Sequence, residues 1–154
     1  MTTFKFLLVD DEAELIETLA QRLRHREYEA DCLFSGKDAL KKLETDKTID
    51  IVILDIRMPE YDGVETVKEL KKKHPLVEVI MLTGHADIQS AVETIQYGAF
   101  DYLTKPCDID HLISKAEKAF SRKKERETRI LDIRAKPYIS KKERDDMISA
   151  VLKG

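Results

Sequence analysis

The sequence predicts an α/β chain: an open, doubly wound parallel sheet of five strands with helices on both faces, followed by a C-terminal helical tail. Three observations predict it. Short apolar runs rich in Val, Ile and Leu alternate five times with segments whose apolar residues recur at helical spacing. The strongest runs are nearly continuous, as strands buried on both faces require. Polar and charged residues follow the strands directly: Asp10-Asp11, Asp55, Thr83 and Lys105.

Each element follows in order. Residues 4–9 (FKFLLV) are too short for a helix and suit a buried strand closed by Asp10-Asp11. Residues 13–26 set Leu15, Ile16, Leu19 and Leu23 on one helical face. A weaker strand over 28–34 is punctuated by Ser35-Gly36, and 37–44 reads as a short helix. Residues 49–54 (IDIVIL) form the third strand, closed by Asp55. Met58-Pro59 and Asp62-Gly63 mark a loop. The helix over 64–73 carries Val64, Val67 and Leu70 on one face and stops at His74-Pro75, because the residue before proline disfavours helical dihedrals.

Residues 77–82 (VEVIML) are the fourth strand, and Thr83-Gly84-His85 a loop. The helix over 88–97 is expected to turn Ile88, Ala91, Val92 and Ile95 inward, with Gly98 just past its end. Residues 100–104 form the fifth strand, ended by Lys105-Pro106. From Asp108 a helical pattern runs through Ile109, Leu112, Ile113, Ala116 and Phe120.

The 154 residues leave room for one domain, placed at 1–120, and an extension at 121–154. Hydrophobic residues make up 42%, enough for a core, and charged residues 37%. With 5 Gly and 4 Pro, a long flexible linker or Pro-rich tract is excluded. No apolar run approaches the roughly 18 residues of a membrane span. Acids follow the first apolar run at once, unlike a signal peptide, so no membrane association is expected. The 2 cysteines, Cys32 and Cys107, form neither a disulfide framework nor a Cys/His cluster, which points to a reducing, cytoplasmic setting. Cys32 is expected in the core, and redox sensing is not expected of Cys107. His25, His74 and His111 have no partners at ligand spacing. Charge is uneven: residues 117–154 carry a net +5 and residues 1–116 a net −8, within a total of −3.

In an open parallel sheet, ligands bind beyond the carboxyl ends of the strands, at the switch in strand order. With the order 2-1-3-4-5, strands one and three are neighbours there, and Asp10, Asp11 and Asp55 converge. Three close carboxylates require either a raised pKa or a bound cation. Hard carboxylate oxygens suit Mg²⁺, and without His or Cys at ligand spacing zinc is not expected. A phosphate beside such a metal needs cationic and hydroxyl partners, which Lys105 and Thr83 supply. Taken singly, Asp10-Asp11 read as helix-start acids, Thr83 as a turn residue and Lys105 as a solvated charge; in register they read as one site.

With Asp10-Asp11, Asp55 followed by Met58-Pro59 and Asp62-Gly63, Thr83-Gly84 and Lys105-Pro106 in order and spacing, the chain resembles a bacterial response-regulator receiver domain over residues 4–120. VDDE and TGHADIQSAVETIQYGAFDYLTKP look most like receivers of the nitrogen-regulation class. The resemblance implies a flavodoxin-like fold and a role for each residue. Asp55 would accept a phosphoryl group from a sensor histidine kinase or a histidine phosphotransfer protein. Asp11, Asp55 and the backbone carbonyl of Arg57 would bind Mg²⁺, and Asp10 a metal-bound water. Lys105 would pair with phosphoryl oxygens and Thr83 would hydrogen-bond one. Tyr102 sits at the switch-aromatic position; its bland reading is half-buried packing. Lys105-Pro106 would be cis. Phosphorylation would remodel the surface of helix four, strand five and helix five. Arg57 and His85 would flank the phosphoryl group and shield it from water, or else be plain solvated side chains.

The tail leaves two outputs open. Residues 121–136 are helix-forming and would prolong helix five until Pro137; Ser140 and Glu143 match a capping box before a last short helix with Met147, Ile148, Val151 and Leu152 on one side. That face needs a partner, since so short a helix is not stable alone. A stand-alone regulator acting through a downstream protein, with possible homodimerisation on phosphorylation, is favoured. The alternative is the receiver part of a DNA-binding regulator, with the basic segment touching DNA; residues 121–154 lack the apolar core of a three-helix domain, and DNA is not the expected partner. An Asp-nucleophile phosphatase would need a DxD-type motif at strand one, where this chain has VDDE, so the chain is expected to be a switch and not an enzyme.

Overall fold

The computed structural model describes residues 3–58 and 62–154. The elements are β1 (Lys5–Val9), α1 (Ala13–His25), β2 (Glu29–Leu33), α2 (Gly36–Thr45), β3 (Ile51–Asp55), α3 (Gly63–Lys73), β4 (Glu78–Thr83), a 3-10 turn (His85–Asp87), α4 (Ile88–Gln96), β5 (Asp101–Thr104), α5 (Ile109–Arg134) and α6 (Lys141–Lys153). The strands form one parallel sheet in the order β2-β1-β3-β4-β5, as expected. This is the doubly wound, flavodoxin-like arrangement. No helix among the described residues is long and apolar enough to cross a membrane.

The two-residue period of a strand sorts the core into two layers. Phe6 and Leu8, Ile51 and Ile53, and Ile80 and Leu82 face α1 and α5. Leu7 and Val9, Val52 and Leu54, and Val79 and Met81 face α2, α3 and α4. Both faces being covered explains the unbroken apolar runs of β3 and β4, every residue of which is buried. Asp55 and Thr83 are the last residues of those strands rather than loop residues beyond them, so the sheet itself aims their side chains.

Local chemistry sets the helix starts. The side chains of Ser35, Asp62 and Ser140 accept from the backbone N–H of Asp38, Glu65 and Glu143 at 3.1, 2.8 and 3.1 Å. Gly63 is required by close approach: a Cβ there would lie 2.7 Å from the Ile56 Cα and 2.9 Å from the Asp55 carbonyl oxygen. Gly98 takes a φ of +112° after α4.

The inward face of α4 differs from expectation. Ala91 and Thr94 are buried, whereas Val92 is 45% and Ile95 41% exposed. The small residues let α4 lie close to the sheet, and the Thr94 hydroxyl is satisfied by the Ala91 carbonyl at 2.5 Å. Rotating Val92 inward would carry Ala91 and Thr94 out of that close contact.

Helix α5 continues unbroken to Arg134, and α6 folds back on it. Ile130, Ile133 and Val151 are buried together, joined by Ile139, Ile148, Leu152 and Leu76 from the α3–β4 loop. The apolar side of α6 thus covers the prolonged α5 and one residue of the sheet domain; Met147 stays exposed. Two ion pairs seat the extension at the N-terminal ends of β3 and β4. Arg122 grips the buried Glu78 carboxylate with Nε and Nη2 at 2.5 and 2.6 Å, and Lys123 reaches Asp50 at 2.6 Å.

Candidate functional site

The site lies at the carboxyl ends of β1, β3, β4 and β5. Asp10 follows β1 and is wholly buried; Asp55 ends β3 and is nearly so; Asp11 is exposed. One carboxylate oxygen from each lies within 4.8 Å of the others. The sequence places these three together because β1 and β3 are paired neighbours, with Val9 opposite Leu54.

Lys105, just past β5, supplies the cation. Its Nζ lies 3.0 Å from Asp10 Oδ2, 3.2 Å from Asp55 Oδ1 and 3.2 Å from Glu12 Oε1. Its backbone N–H donates to the Thr83 carbonyl at 2.8 Å, extending the β4–β5 ladder by one bond. The Lys105-Pro106 peptide is cis, as expected. Glu12 is a partner that sequence reasoning passed over, although VDDE displays it; its own N–H donates to Asp10 Oδ1 at 3.0 Å.

Electrostatics follow from burial. Burial first, then the charge of Asp10, pushes the Asp55 carboxyl up to about 6, against the opposing pull of Lys105 and the Arg57 N–H. Burial works against the charge of Lys105, but the surrounding carboxylates outweigh it and hold the ammonium above its ordinary range. Asp10 Oδ2 is buried and, beyond its ion pair, takes no aligned hydrogen bond. One ammonium thus faces three acids, with Asp11 a fourth carboxylate in the cluster, and a buried oxygen retains open lone pairs. That donor set of hard oxygens around one exposed carboxylate fits a small divalent cation with retained waters.

The remaining predicted residues surround this cluster. Thr83 is buried, its hydroxyl donating to the Gly84 carbonyl at 3.0 Å rather than toward Asp55. Tyr102 is half-buried against the α2–α4 layer, with the Lys115 ammonium 5.6 Å from its ring centroid. Arg57 is exposed and pairs with Asp87 at 2.6 Å, a partner that the sequence reading left unassigned. His85 is exposed in the 3-10 turn. Pro59 of the Met58-Pro59 pair lies outside the described residues; Met58 is buried.

The cysteines and other histidines stand apart from this chemistry. Cys32 is only half-buried, its thiol lying 3.6 Å from the Ile16 carbonyl oxygen. Burial pushes the Cys107 thiol up to about 11, which disfavours the nucleophilic thiolate. His25 and His111 are exposed, and burial lowers the pKa of the half-buried His74.

Comparison with known proteins agrees with this fold. Residues 6–117 match the response regulator receiver domain family. The DNA-binding transcriptional regulator NtrC of Klebsiella pneumoniae is 38% identical over 120 residues, covering 78% of this chain and 25% of that protein. The chain thus spans about a quarter of the length of the curated relatives it matches. Among solved structures, a receiver domain protein from Clostridium thermocellum superposes with a TM-score of 0.74 at 34% identity, covering 79% of this chain and 97% of that one. NtrX from Brucella abortus in complex with ADP superposes with a TM-score of 0.78 at 30% identity, covering 97% of this chain and 33% of that one.

Proposed function

Since this chain belongs to the response regulator receiver family, we propose that it is a phosphorylation-dependent switch whose acceptor is Asp55, taking its phosphoryl group from a histidine kinase or histidine phosphotransfer protein. The observation that carries the reading is Asp55 itself: buried at a strand end, beside a second buried acid and against a lysine. Asp11, Asp55 and the Arg57 carbonyl would hold Mg²⁺, and Asp10 a water on it. That ion, when bound, supplies positive charge against the phosphoryl oxygens. The protein's own groups do the positioning. The β3 end presents the Asp55 oxygen for in-line attack, and Lys105 balances the developing charge. Thr83 exchanges its Gly84 carbonyl for a phosphoryl oxygen. Tyr102 turns into the volume that Thr83 leaves, and the α4–β5–α5 surface changes with it.

Loading with beryllofluoride or acetyl phosphate in Mg²⁺ tests this. The expected result is stoichiometric loading, lost in Asp55→Asn. Sustained turnover of small phosphate esters would instead identify a phosphatase.

For output, we favour a protein contact. Arg122 and Lys123, two cations of the basic extension, are engaged by Glu78 and Asp50, so the +5 of residues 117–154 is partly neutralised within the molecule. The DNA-binding relatives support the second reading, a receiver serving a DNA-binding regulator. A gel shift distinguishes them: salt-dependent DNA binding by this chain favours the second.

A further inference from the structure

The loop that carries Thr83 is tied down from outside the carboxylate cluster. The Thr83 hydroxyl and the Asp87 backbone N–H both donate to the Gly84 carbonyl, at 3.0 and 3.1 Å. The Asp87 carboxylate in turn accepts from the Arg57 guanidinium, with Nη2 2.6 Å from Oδ1. Arg57 lies two residues past Asp55, and its backbone N–H donates to the Asp55 carboxylate. One residue therefore touches Asp55 with its backbone and the β4–α4 turn with its side chain. Helix α4 begins at the next residue, Ile88.

Resting on Asp55 as the phospho-acceptor, we propose that Arg57 is a positioning residue that reads the charge on Asp55. With Asp55 as a plain carboxylate, Arg57 holds the Thr83 turn through Asp87. With a phosphoryl group on Asp55, Arg57 turns to the phosphoryl oxygens and releases the turn.

The competition favours that exchange. A phosphoryl group brings about 1.5 to 2 negative charges and three acceptor oxygens, whereas Asp87 offers one charge. A guanidinium fork matches phosphoryl oxygens bidentately. The Cα atoms of Arg57 and Asp55 are at most about 7 Å apart along the chain. The Arg57 side chain is 75% exposed, so it swings without disturbing the core. An exposed ion pair is weak, which suits a strap that must open on one covalent event. Release of Asp87 frees the Thr83 hydroxyl from its own turn and unties the start of α4, the helix that presents Val92 and Ile95.

The experiment uses the full chain with Arg57→Gln, Asp87→Asn and the double variant. It reads beryllofluoride affinity in Mg²⁺ and backbone amide exchange across residues 84–88. Both single variants break the same pair, so a merely structural strap moves loading in one direction for both. Charge reading gives opposite signs: Asp87→Asn tightens loading about two- to fivefold, Arg57→Gln weakens it similarly, and the double follows Arg57→Gln. In the resting protein, exchange across 84–88 rises alike in both single variants and no further in the double. Normal wild-type loading with same-direction shifts, or additive exchange, overturns the strap alone. A wild-type chain that loads nothing overturns the acceptor reading and the strap with it.

Discussion

Asp55 pays for its position in stability, and the sign of that cost is fixed by its pKa. Folding raises the carboxyl from an ordinary value of 3.8 to about 6, chiefly by burial. The folded state therefore binds the proton more tightly than the unfolded one, and stability falls as pH rises from about 4 to about 6. Removing the charge should restore it. Asp55→Asn is expected to stabilise the protein at pH 8 by on the order of 1–3 kcal/mol, a gain that vanishes near pH 4. Urea unfolding at both pH values checks this, and equal gains would contradict the burial argument. Added Mg²⁺ should raise the Tm of the wild type and leave Asp55→Asn nearly unmoved. Arg57 and His85 are exposed; if they flank the phosphoryl group as the family resemblance implies, their bulk would hinder an attacking water. Arg57→Asn or His85→Glu should shorten the phosphoryl lifetime, followed by loss of radiolabel; longer lifetimes would refute the shielding.

At the scale of elements, the central strands β1, β3 and β4 were the most legible, because burial on both faces demands a nearly continuous apolar run, whereas the edge strands β2 and β5 are only partly buried. The alternation implied a doubly wound parallel sheet but not its strand order; with the order 2-1-3-4-5 taken from known folds of that kind, the convergence of Asp10, Asp11 and Asp55 followed from the rule that sites form beyond strand ends. What stayed hidden depends on distances that no periodicity carries. The inward face of α4 is one case: an apolar count adds Val92 and Ile95 to Ala91, but the closeness of helix to sheet keeps Ala91 and selects Thr94 in their place. Gly63 is another, a plain loop signal in the sequence and a steric necessity in the fold. Its missing side chain lets the start of α3 lie against the backbone of Asp55 and Ile56. Gly63→Ala should therefore destabilise by about 1–3 kcal/mol and also weaken beryllofluoride loading by displacing the end of β3. A variant that loses stability but loads normally would show that the strain relaxes into α3 instead.

Across the whole molecule, the acidic body and basic tail meet along one seam, and the charge asymmetry in the sequence is partly the record of that contact. Glu78 opens β4 wholly buried, held by Arg122 through two nitrogens and by Lys71 at 3.5 Å. Arg122 also lies 4.9 Å from the Phe100 ring centroid, so α5 touches the α4–β5 junction where its extension begins. The sequence could not show this, since Glu78 sits inside an apolar strand and its partner is 44 residues away. A buried pair is weak evidence of net stabilisation, because desolvation offsets attraction, yet removing one partner strands the other. Arg122→Met should thus destabilise by about 3 kcal/mol and loosen the α5–α6 hairpin, seen as faster amide exchange at Ile130 and Val151. The double variant Arg122→Met with Glu78→Leu removes both partners of that pair and leaves the Lys71 ammonium to the Pro75 and Val77 carbonyls, so it should recover part of the urea midpoint. If the double variant is as unstable as the single, Arg122 seats the extension by packing rather than by charge, and the seam is apolar in its energetics.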